Sequence, residues 1–274
     1  MGAFRLGFEL SGENRSMSNF DRNAPVWGAG RAQQTSAVEM DQGLRSFMLG
    51  VYNNMTIGLA ITGLVAIGIS MLAVAGVSPT GKVTALTPLG QALYLSPLKW
   101  AVMLAPLAFI LFFSFKAESM SSSAARTMFF VFAAVMGISL SSIFIVFTGE
   151  SIARVFFITA AAFGGLSLFG YTTKKSLSGM GSFLIMGLIG LVIASVVNIF
   201  LASSALAFAV SVIGVLVFAG LTAWDTQRLK EMYLYSGLDQ EGAAKLAVNG
   251  ALSLYLNFVN MFQMLLSLFG NRSE

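Results

Sequence analysis

The chain contains no cysteine and no histidine, and only 10% of its 274 residues are charged. Without cysteine there is neither a disulfide framework nor thiolate chemistry. Without histidine the sequence lacks the usual general base, the commonest metal ligand and the usual pH switch. A Walker loop and a dinucleotide-binding fingerprint are also absent. We therefore expect no enzymatic activity and no bound cofactor.

What the sequence does have is apolar surface, since 56% of its residues are hydrophobic and 28 are glycine. An ordinary soluble domain is about one quarter charged. A soluble globule this apolar would lack the polar groups needed to cover its surface, whereas glycine-rich helices pack closely in lipid. The composition predicts a membrane protein whose main partner is the lipid bilayer.

The chain divides into a polar tail and an apolar body. Residues 1–45 mix charges of both signs with Gly, Asn and Ser and show no hydrophobic periodicity. Such a segment cannot pack a core of its own, so we expect a disordered cytoplasmic tail. Residues 46–274 are predicted to form the membrane domain.

Seven apolar segments make up that domain, each close to the roughly 20 residues that a membrane-spanning helix needs. They are predicted at residues 51–77, 98–115, 127–148, 152–171, 182–201, 205–228 and 246–269. These runs lack the alternation of apolar and polar residues that marks a membrane β-barrel. We therefore expect an all-α membrane protein and no strands.

The basic residues orient this predicted bundle. Twelve Lys and Arg residues fall in the tail and in the connections after the second, fourth and sixth segments. Only four fall in the remaining connections and after the seventh segment. Positively charged connections stay in the cytoplasm, so the N-terminus is predicted to be cytoplasmic. Seven full spans would place the C-terminus outside, whereas a re-entrant last segment would return it to the cytoplasm. The same bias explains the basic balance of the chain without a nucleic-acid partner.

One carboxylate ends a charge-free run. Residues 205–224 carry no charge, and Asp225 follows directly. A carboxylate at membrane depth is expensive and is usually kept for an ion path, a proton relay or a pairing partner. Asp225 could pair with Arg228 one turn further on, or it could face inward. We favour the inward orientation because Thr222 and Ser211 continue a polar stripe on the same helix face.

The seventh segment carries a second polar stripe. At 100° per residue, six polar side chains fall within about 120° of arc; they are Asn249, Ser253, Asn257, Asn260, Gln263 and Ser267. Lipid cannot satisfy carboxamides, so this face must meet other helices or water, which predicts a central position for the seventh helix. The stripe either hydrogen-bonds neighbouring helices or lines a polar conduit. Asn198 in the fifth segment is a further candidate for this polar face.

Several strings resemble the Bax inhibitor-1 family, also called the transmembrane Bax-inhibitor-motif family. They are Trp-Asp-Thr-Gln at 224–227, Ser-Leu-Tyr-Leu-Asn-Phe-Val-Asn-Met-Phe at 253–262 and Leu-Leu-Ser-Leu-Phe-Gly at 265–270. Residues 43–53 are similar to the bacterial branch of the family, and the resemblance covers residues 43–270. It implies a seven-helix bundle around a central seventh helix, in the bacterial inner membrane.

The resemblance also implies an activity, a passive and pH-sensitive calcium leak. In that family two aspartates, on the sixth and seventh helices, share a proton and close the pore. Asp225 matches the first, whereas Asn257 occupies the second position. An asparagine cannot ionise, but its amide can still donate to Asp225. We therefore expect a latch with weaker proton sensitivity, and Lys116 and Arg126 are candidates for the basic partner of Asp225.

Three functions compete at this point. The leading one is a calcium or cation leak, in which Asp225 and nearby amide and hydroxyl oxygens form a weak, transient calcium site. The second is a non-conducting regulator of a membrane-anchored AAA+ protease, held through the tail, and deletion of residues 1–40 separates the two. Proton-coupled transport is a weaker third interpretation, because no inverted repeat is visible.

Overall fold

The computed structural model describes residues 27–78, 83–116 and 119–272, with side chains from Met40 onward. Contacts between Cα atoms divide the chain into Met1–Gln42 and Gly43–Glu274. Residues 1–26 of the predicted disordered tail lie outside the described ranges, so for them disorder stays a prediction, whereas residues 27–45 are helical and begin the first helix.

The described residues form nine helices and one hairpin. They are α1 (Trp27–Ala73), β1 (Val74–Val77), β2 (Val83–Leu86), α2 (Pro88–Tyr94), α3 (Leu98–Lys116), α4 (Ser122–Leu140), α5 (Ile143–Val146), α6 (Gly149–Thr172), α7 (Ser178–Leu201), α8 (Ser204–Tyr235) and α9 (Gln240–Phe269). Seven candidate spans are long and apolar enough to cross a membrane. They lie in α1, α3, α4 with α5, α6, α7, α8 and α9, so the predicted all-α membrane protein with seven spans is confirmed.

The expectation of no strands was wrong for one short segment. The first apolar run was predicted to reach residue 77, but α1 ends at Ala73 and β1 pairs with β2 in an antiparallel hairpin. Both strands are short and contain valine, which suits an extended backbone. Once the helix has ended, pairing of the two strands provides hydrogen-bond partners for the backbone N–H and C=O groups of residues 74–77.

Two other helix ends differ from the predicted segment boundaries, and local features account for both. The third predicted span breaks after α4, where the Ser141 hydroxyl donates to the Ile138 carbonyl at 2.6 Å; such side-chain bonds compete with helix continuation. The sixth span was predicted to end at residue 228, but α8 continues to Tyr235 because its last turns contain good helix formers. Gly237, with a φ of +56°, follows its end.

Helix α9 is the most buried of the candidate spans. In its most apolar window 56% of the residues are buried, against 39% for α8 and at most 28% for the others. Tyr255 is fully buried, with Phe129 and Phe132 of α4 at centroid distances of 5.5 and 5.9 Å. Its hydroxyl lies 2.7 Å from that of Thr62 in α1. This burial favours the predicted central position of the seventh helix.

Helix α9 also crosses the whole bundle. At its start, Glu241 accepts a hydrogen bond from the backbone N–H of Ser122 at the beginning of α4, at 2.6 Å. Beyond its end, the Asn271 N–H donates to the hydroxyl of Ser151 in the first turn of α6, at 2.8 Å. Thirty residues of α-helix rise about 45 Å. Its length and continuity suit a full span, and the side of the membrane on which the C-terminus lies stays a prediction.

Candidate functional site

The structure brings Asp225 and Asn257 together between α8 and α9. The side-chain amide of Asn257 donates to Oδ2 of Asp225 at 2.7 Å. Asn257 is 6% exposed and Asp225 is half-buried. An amide donating to a carboxylate forms a charge-assisted hydrogen bond, which is shorter and stronger than a bond between neutral groups. We call this contact the latch.

Asp225 does not pair with a basic side chain. The guanidinium of Arg228 lies over the ring of Trp224, 5.2 Å from its centroid. The one salt bridge among the described side chains joins Arg154 to Glu150. Among the described residues, Asp225 and Arg228 thus do not form the salt bridge that their i,i+3 spacing allows, and the guanidinium of Arg228 stacks on the indole instead.

Lys116 and Arg126, the candidates for a basic partner, do not form an ion pair with Asp225 either. Lys116 ends α3, and Arg126 lies in the second turn of α4. Asp225 instead accepts one hydrogen bond at Oδ2, from the side-chain amide of Asn257.

A chain of hydroxyl groups begins one residue after Asp225. Thr226 is fully buried, and its Oγ1 donates to the carbonyl of Thr222 at 2.8 Å. A hydroxyl has one proton to donate, so Ser167 of α6, at 3.0 Å, must donate to Thr226. By the same reasoning Tyr52 of α1, at 2.6 Å, donates to Ser167. The chain connects α1, α6 and α8 directly beside the latch.

The neighbours of Asp225 fix α8 in place. Gln227 accepts from the N–H of Leu177 at 2.6 Å and donates to the carbonyl of Lys175 at 2.8 Å, which ties α8 to the connection before α7. A Cβ added at Gly181 would collide with the ring of Trp224, so α7 meets α8 at this glycine. Each residue of the string Trp-Asp-Thr-Gln thus meets a different neighbour. Trp224 contacts α7, Asp225 contacts α9, Thr226 contacts α6, and Gln227 contacts the connection between α6 and α7.

The roles of Tyr52, Ser167 and Gln227 were missed by the sequence interpretation. The Trp-Asp-Thr-Gln string was itself a signal, because polar residues in succession on a buried helix must each find a partner on a different neighbour. The identity of those partners required the tertiary structure.

Exposure varies along the polar stripe of α9 in an ordered way. Asn249 and Ser253 are exposed, Asn257 is buried, and Asn260 and Gln263 are half-buried. Ser267 is exposed again, and its hydroxyl lies 3.2 Å from that of Ser211 in α8. The stripe is therefore least accessible where the latch lies.

The stripe faces mainly α8, and only Gln263 points toward the side where α4 lies. A Cβ at Gly214 of α8 would contact Met264 at 3.0 Å, whereas Tyr255 contacts the aromatic rings of α4. At 100° per residue these two α9 side chains point in opposite directions, and Gln263 points midway between them. Asn257 occupies the α8 edge of the stripe, which accounts for its bond to Asp225.

The other predicted polar-face residues hold local structure. Asn198 accepts from the N–H of Ser203 at 3.0 Å, in the turn between α7 and α8. From Ser204 to Asp225 the helix rises about 32 Å, so Asn198 lies far from the latch along the helix axis, and its role on a polar face stays a prediction. Thr222 is fully buried and donates to the carbonyl of Phe218 at 2.8 Å, within its own helix.

Asn260 likewise donates within its own helix, to the carbonyl of Leu256 at 2.8 Å. Among the described residues, no group of three or more acidic, cysteine or histidine side chains could hold a metal ion. Asp225 with neighbouring amide oxygens remains the predicted weak and transient calcium ligand.

Comparisons with known proteins agree with this architecture. The family model described as "Inhibitor of apoptosis-promoting Bax1" matches residues 44–274. An uncharacterised protein of Caulobacter vibrioides is 45% identical over 250 residues, covering 86% of this chain and 93% of the relative. The Escherichia coli inner membrane protein YbhL is 43% identical over 239 residues, covering 86% and 96%.

A third relative, an uncharacterised protein of Rickettsia prowazekii, is 43% identical over 234 residues and covers 85% of this chain and 93% of its own length. The match to the family model extends over the whole span from the start of the membrane domain to the C-terminus. The chain therefore belongs to the Bax inhibitor-1 family of membrane proteins.

Proposed function

We propose that the chain forms a gated leak for calcium or other cations, closed by the latch between Asp225 and Asn257. The observation that carries this proposal is the exposure profile of α9. The polar stripe is accessible toward both ends and is most buried at Asn257. A path along this stripe would be interrupted at the one point where two helices are joined by a charge-assisted hydrogen bond.

We place the protein in the bacterial inner membrane, with its N-terminus in the cytoplasm. The Escherichia coli relative carries the name inner membrane protein, and the distribution of Lys and Arg along the chain supports the orientation. In this orientation the exposed residues Asn249 and Ser253 lie on the cytoplasmic side of the latch, whereas Gln263 lies on the opposite side.

The chemistry of the stripe suits passage better than storage. Calcium is a hard cation that takes six to eight oxygen ligands. The stripe offers one carboxylate with amide and hydroxyl oxygens, so any bound cation keeps most of its water. Weak coordination of this kind lets an ion leave as easily as it enters. The negative charge of Asp225 attracts cations and repels anions.

The latch differs from a pair of carboxylates in its response to pH. Two adjacent carboxylates repel each other and titrate in coupled steps. Here Asn257 has no proton to lose, and the latch needs only that Asp225 accept a hydrogen bond. Proton uptake thus acts on one group, which makes the response to pH shallow.

Calcium entry into proteoliposomes tests the proposal. The purified full-length chain is reconstituted with an enclosed calcium indicator, and the initial rate of entry is compared with that of protein-free vesicles. Asp225→Asn keeps the size of the side chain but removes its charge, and it should lower the rate by at least about tenfold. Thr172→Val is the control, because Thr172 lies on α6 outside the polar stripe and its hydroxyl donates to the Leu168 carbonyl of the same helix.

The expected result is calcium entry in the wild type and the control, with a much lower rate for Asp225→Asn. Equal rates for wild-type and protein-free vesicles would contradict the proposal. Equal rates for the wild type and Asp225→Asn would show that ions cross without using this carboxylate.

A further inference from the structure

A lateral cleft separates α1 from α6. It encloses a cavity of about 670 Å³. Its walls are mainly aliphatic and aromatic, including Met48, Leu59, Phe163 and Leu168. Cavities of this size and apolar character, with a few polar groups, are typical of ligand sites. The cleft is not part of the polar stripe, since of α9 it includes only Phe258, on the opposite face.

Positive charge collects at one end of the cleft. Arg45 and Tyr171 line that end. The ammonium of Lys230 donates to the backbone carbonyl of Tyr171 at 2.7 Å and lies 5.7 Å from the centroid of its ring. Neither Arg45 nor Lys230 forms a salt bridge with any described carboxylate. Two cations without acidic partners thus flank the mouth of an apolar cavity, where they would attract an anionic group.

The cleft continues toward the other face of the membrane. A second apolar cavity of about 340 Å³ shares Leu59, Phe156 and Phe258 with the first. Together the two extend along α1 from Arg45 to Ile67, which is about 33 Å of helix. The hydrocarbon core of a bilayer is about 30 Å thick. A cleft of this length matches both leaflets, so one acyl chain that enters at the Arg45 end occupies about half of it.

A missing side chain creates part of this space. Gly164 lines the cavity, and a Cβ added there would meet no atom within 4 Å. Close packing of helices thus does not require glycine at this position. The adjacent Gly165 also faces open space but lines neither described cavity. A large side chain at Gly164 would therefore fill the cleft, whereas the same side chain at Gly165 would leave it open.

We propose that the cleft between α1 and α6 binds one anionic phospholipid. Its phosphate lies against Arg45, with Lys230 as a second source of positive charge, and one acyl chain lies between the helices past Gly164. Charge at the mouth supplies the preference for an anionic headgroup, and the apolar walls hold the chain. The inner wall also carries hydroxyl groups, those of Thr56 and of Tyr52, which donates to Ser167.

Native mass spectrometry of the delipidated full-length protein tests this site. Phosphatidylglycerol and phosphatidylcholine with the same acyl chains are titrated separately, and the dissociation constant of the first bound lipid is compared. The wild type should bind phosphatidylglycerol at least about fivefold more tightly than phosphatidylcholine. Arg45→Gln should reduce this preference by about fivefold, because it weakens binding of the anionic phosphatidylglycerol more than binding of the zwitterionic phosphatidylcholine.

Filling the cleft gives a second and independent measurement. Gly164→Leu should remove tight binding of both lipids, whereas Gly165→Leu should bind them as the wild type does. Circular dichroism shows whether each variant is folded. If Gly164→Leu does not fold, Arg45→Gln still tests the site, because Arg45 is exposed and its replacement leaves the packing intact. Equal affinity of the wild type for the two lipids, or equal binding by the two leucine variants, would overturn the proposal. Displacement of the lipid by glycerol phosphate would instead identify a site for soluble phosphates and would also overturn it.

Discussion

Replacing Asn257 by alanine removes the donor of the latch and leaves the charge of Asp225 in place. If the hydrogen bond between the two residues keeps the path closed, Asn257→Ala must increase calcium entry. This direction is opposite to that expected for Asp225→Asn, which removes the charge that attracts cations. The two substitutions therefore separate the closing function of the contact from the attraction of ions.

The magnitude follows from the strength of the bond. Hydrogen bonds between membrane helices contribute on average about 0.6 kcal/mol and at most about 1.7 kcal/mol. The bond here is short, at 2.7 Å, and its acceptor is a carboxylate, so the upper part of this range applies. A contribution of about 1.4 kcal/mol changes an equilibrium constant tenfold. Since the bond favours the closed state, Asn257→Ala should raise the ratio of open to closed protein by about tenfold.

The assay is the initial rate of calcium entry into proteoliposomes, with equal amounts of folded protein in every sample. Asn260→Ala provides the control for removing a carboxamide from the same stripe without breaking a bond between helices. In the Asp225→Asn background, the effect of Asn257→Ala should fall to about threefold or less, because the charged acceptor is gone. A rate for Asn257→Ala within a factor of two of the wild type would refute the closing function of the latch.

Three further predictions concern pH, packing and the tail. Asn257→Asp places a second carboxylate opposite Asp225, and calcium entry measured from pH 5 to 8 should depend more steeply on pH than in the wild type; equal slopes would contradict this. Gly170→Ala should lower the free energy of unfolding by about 1–3 kcal/mol, because the added Cβ would collide with the Ala223 carbonyl. Gly165→Ala, whose Cβ would enter open space, should leave thermal unfolding unchanged. Deleting residues 1–26 should leave calcium entry unchanged, and its loss would show that the path depends on the segment before α1.

Much of the fold could be predicted because lipid imposes strict rules on the chain. Segments of about 20 apolar residues must be helical in a bilayer, and this sufficed for seven spans. The hairpin of β1 and β2 was missed because its residues continue the hydrophobic run of α1, and hydrophobicity alone does not separate a helix from a short strand outside the membrane. The break after α4 depends on the Ser141 side chain, which hydropathy does not register.

The resemblance to the Bax inhibitor-1 family predicted the contact between Asp225 and Asn257, but not the surroundings of that contact. Helical periodicity placed Asn257 on a polar face, and the charge-free run before Asp225 singled out that carboxylate. The bond that Asn198 accepts from the Ser203 N–H depends on the turn between α7 and α8, which the sequence does not specify. The hydroxyl chain through Tyr52 and Ser167 joins helices distant in sequence, and no local pattern encodes such a meeting.

Cysteine accessibility tests most directly whether the stripe is a path interrupted at the latch. The chain has no cysteine of its own, so Ser253→Cys and Gln263→Cys each introduce a single thiol, on opposite sides of Asn257. With a membrane-impermeant thiol reagent applied to one side at a time, Ser253→Cys should react only from the cytoplasmic side and Gln263→Cys only from the other. Failure of both thiols to react from either side, or reaction of both from the same side, would contradict a water-filled path closed by Asp225 and Asn257.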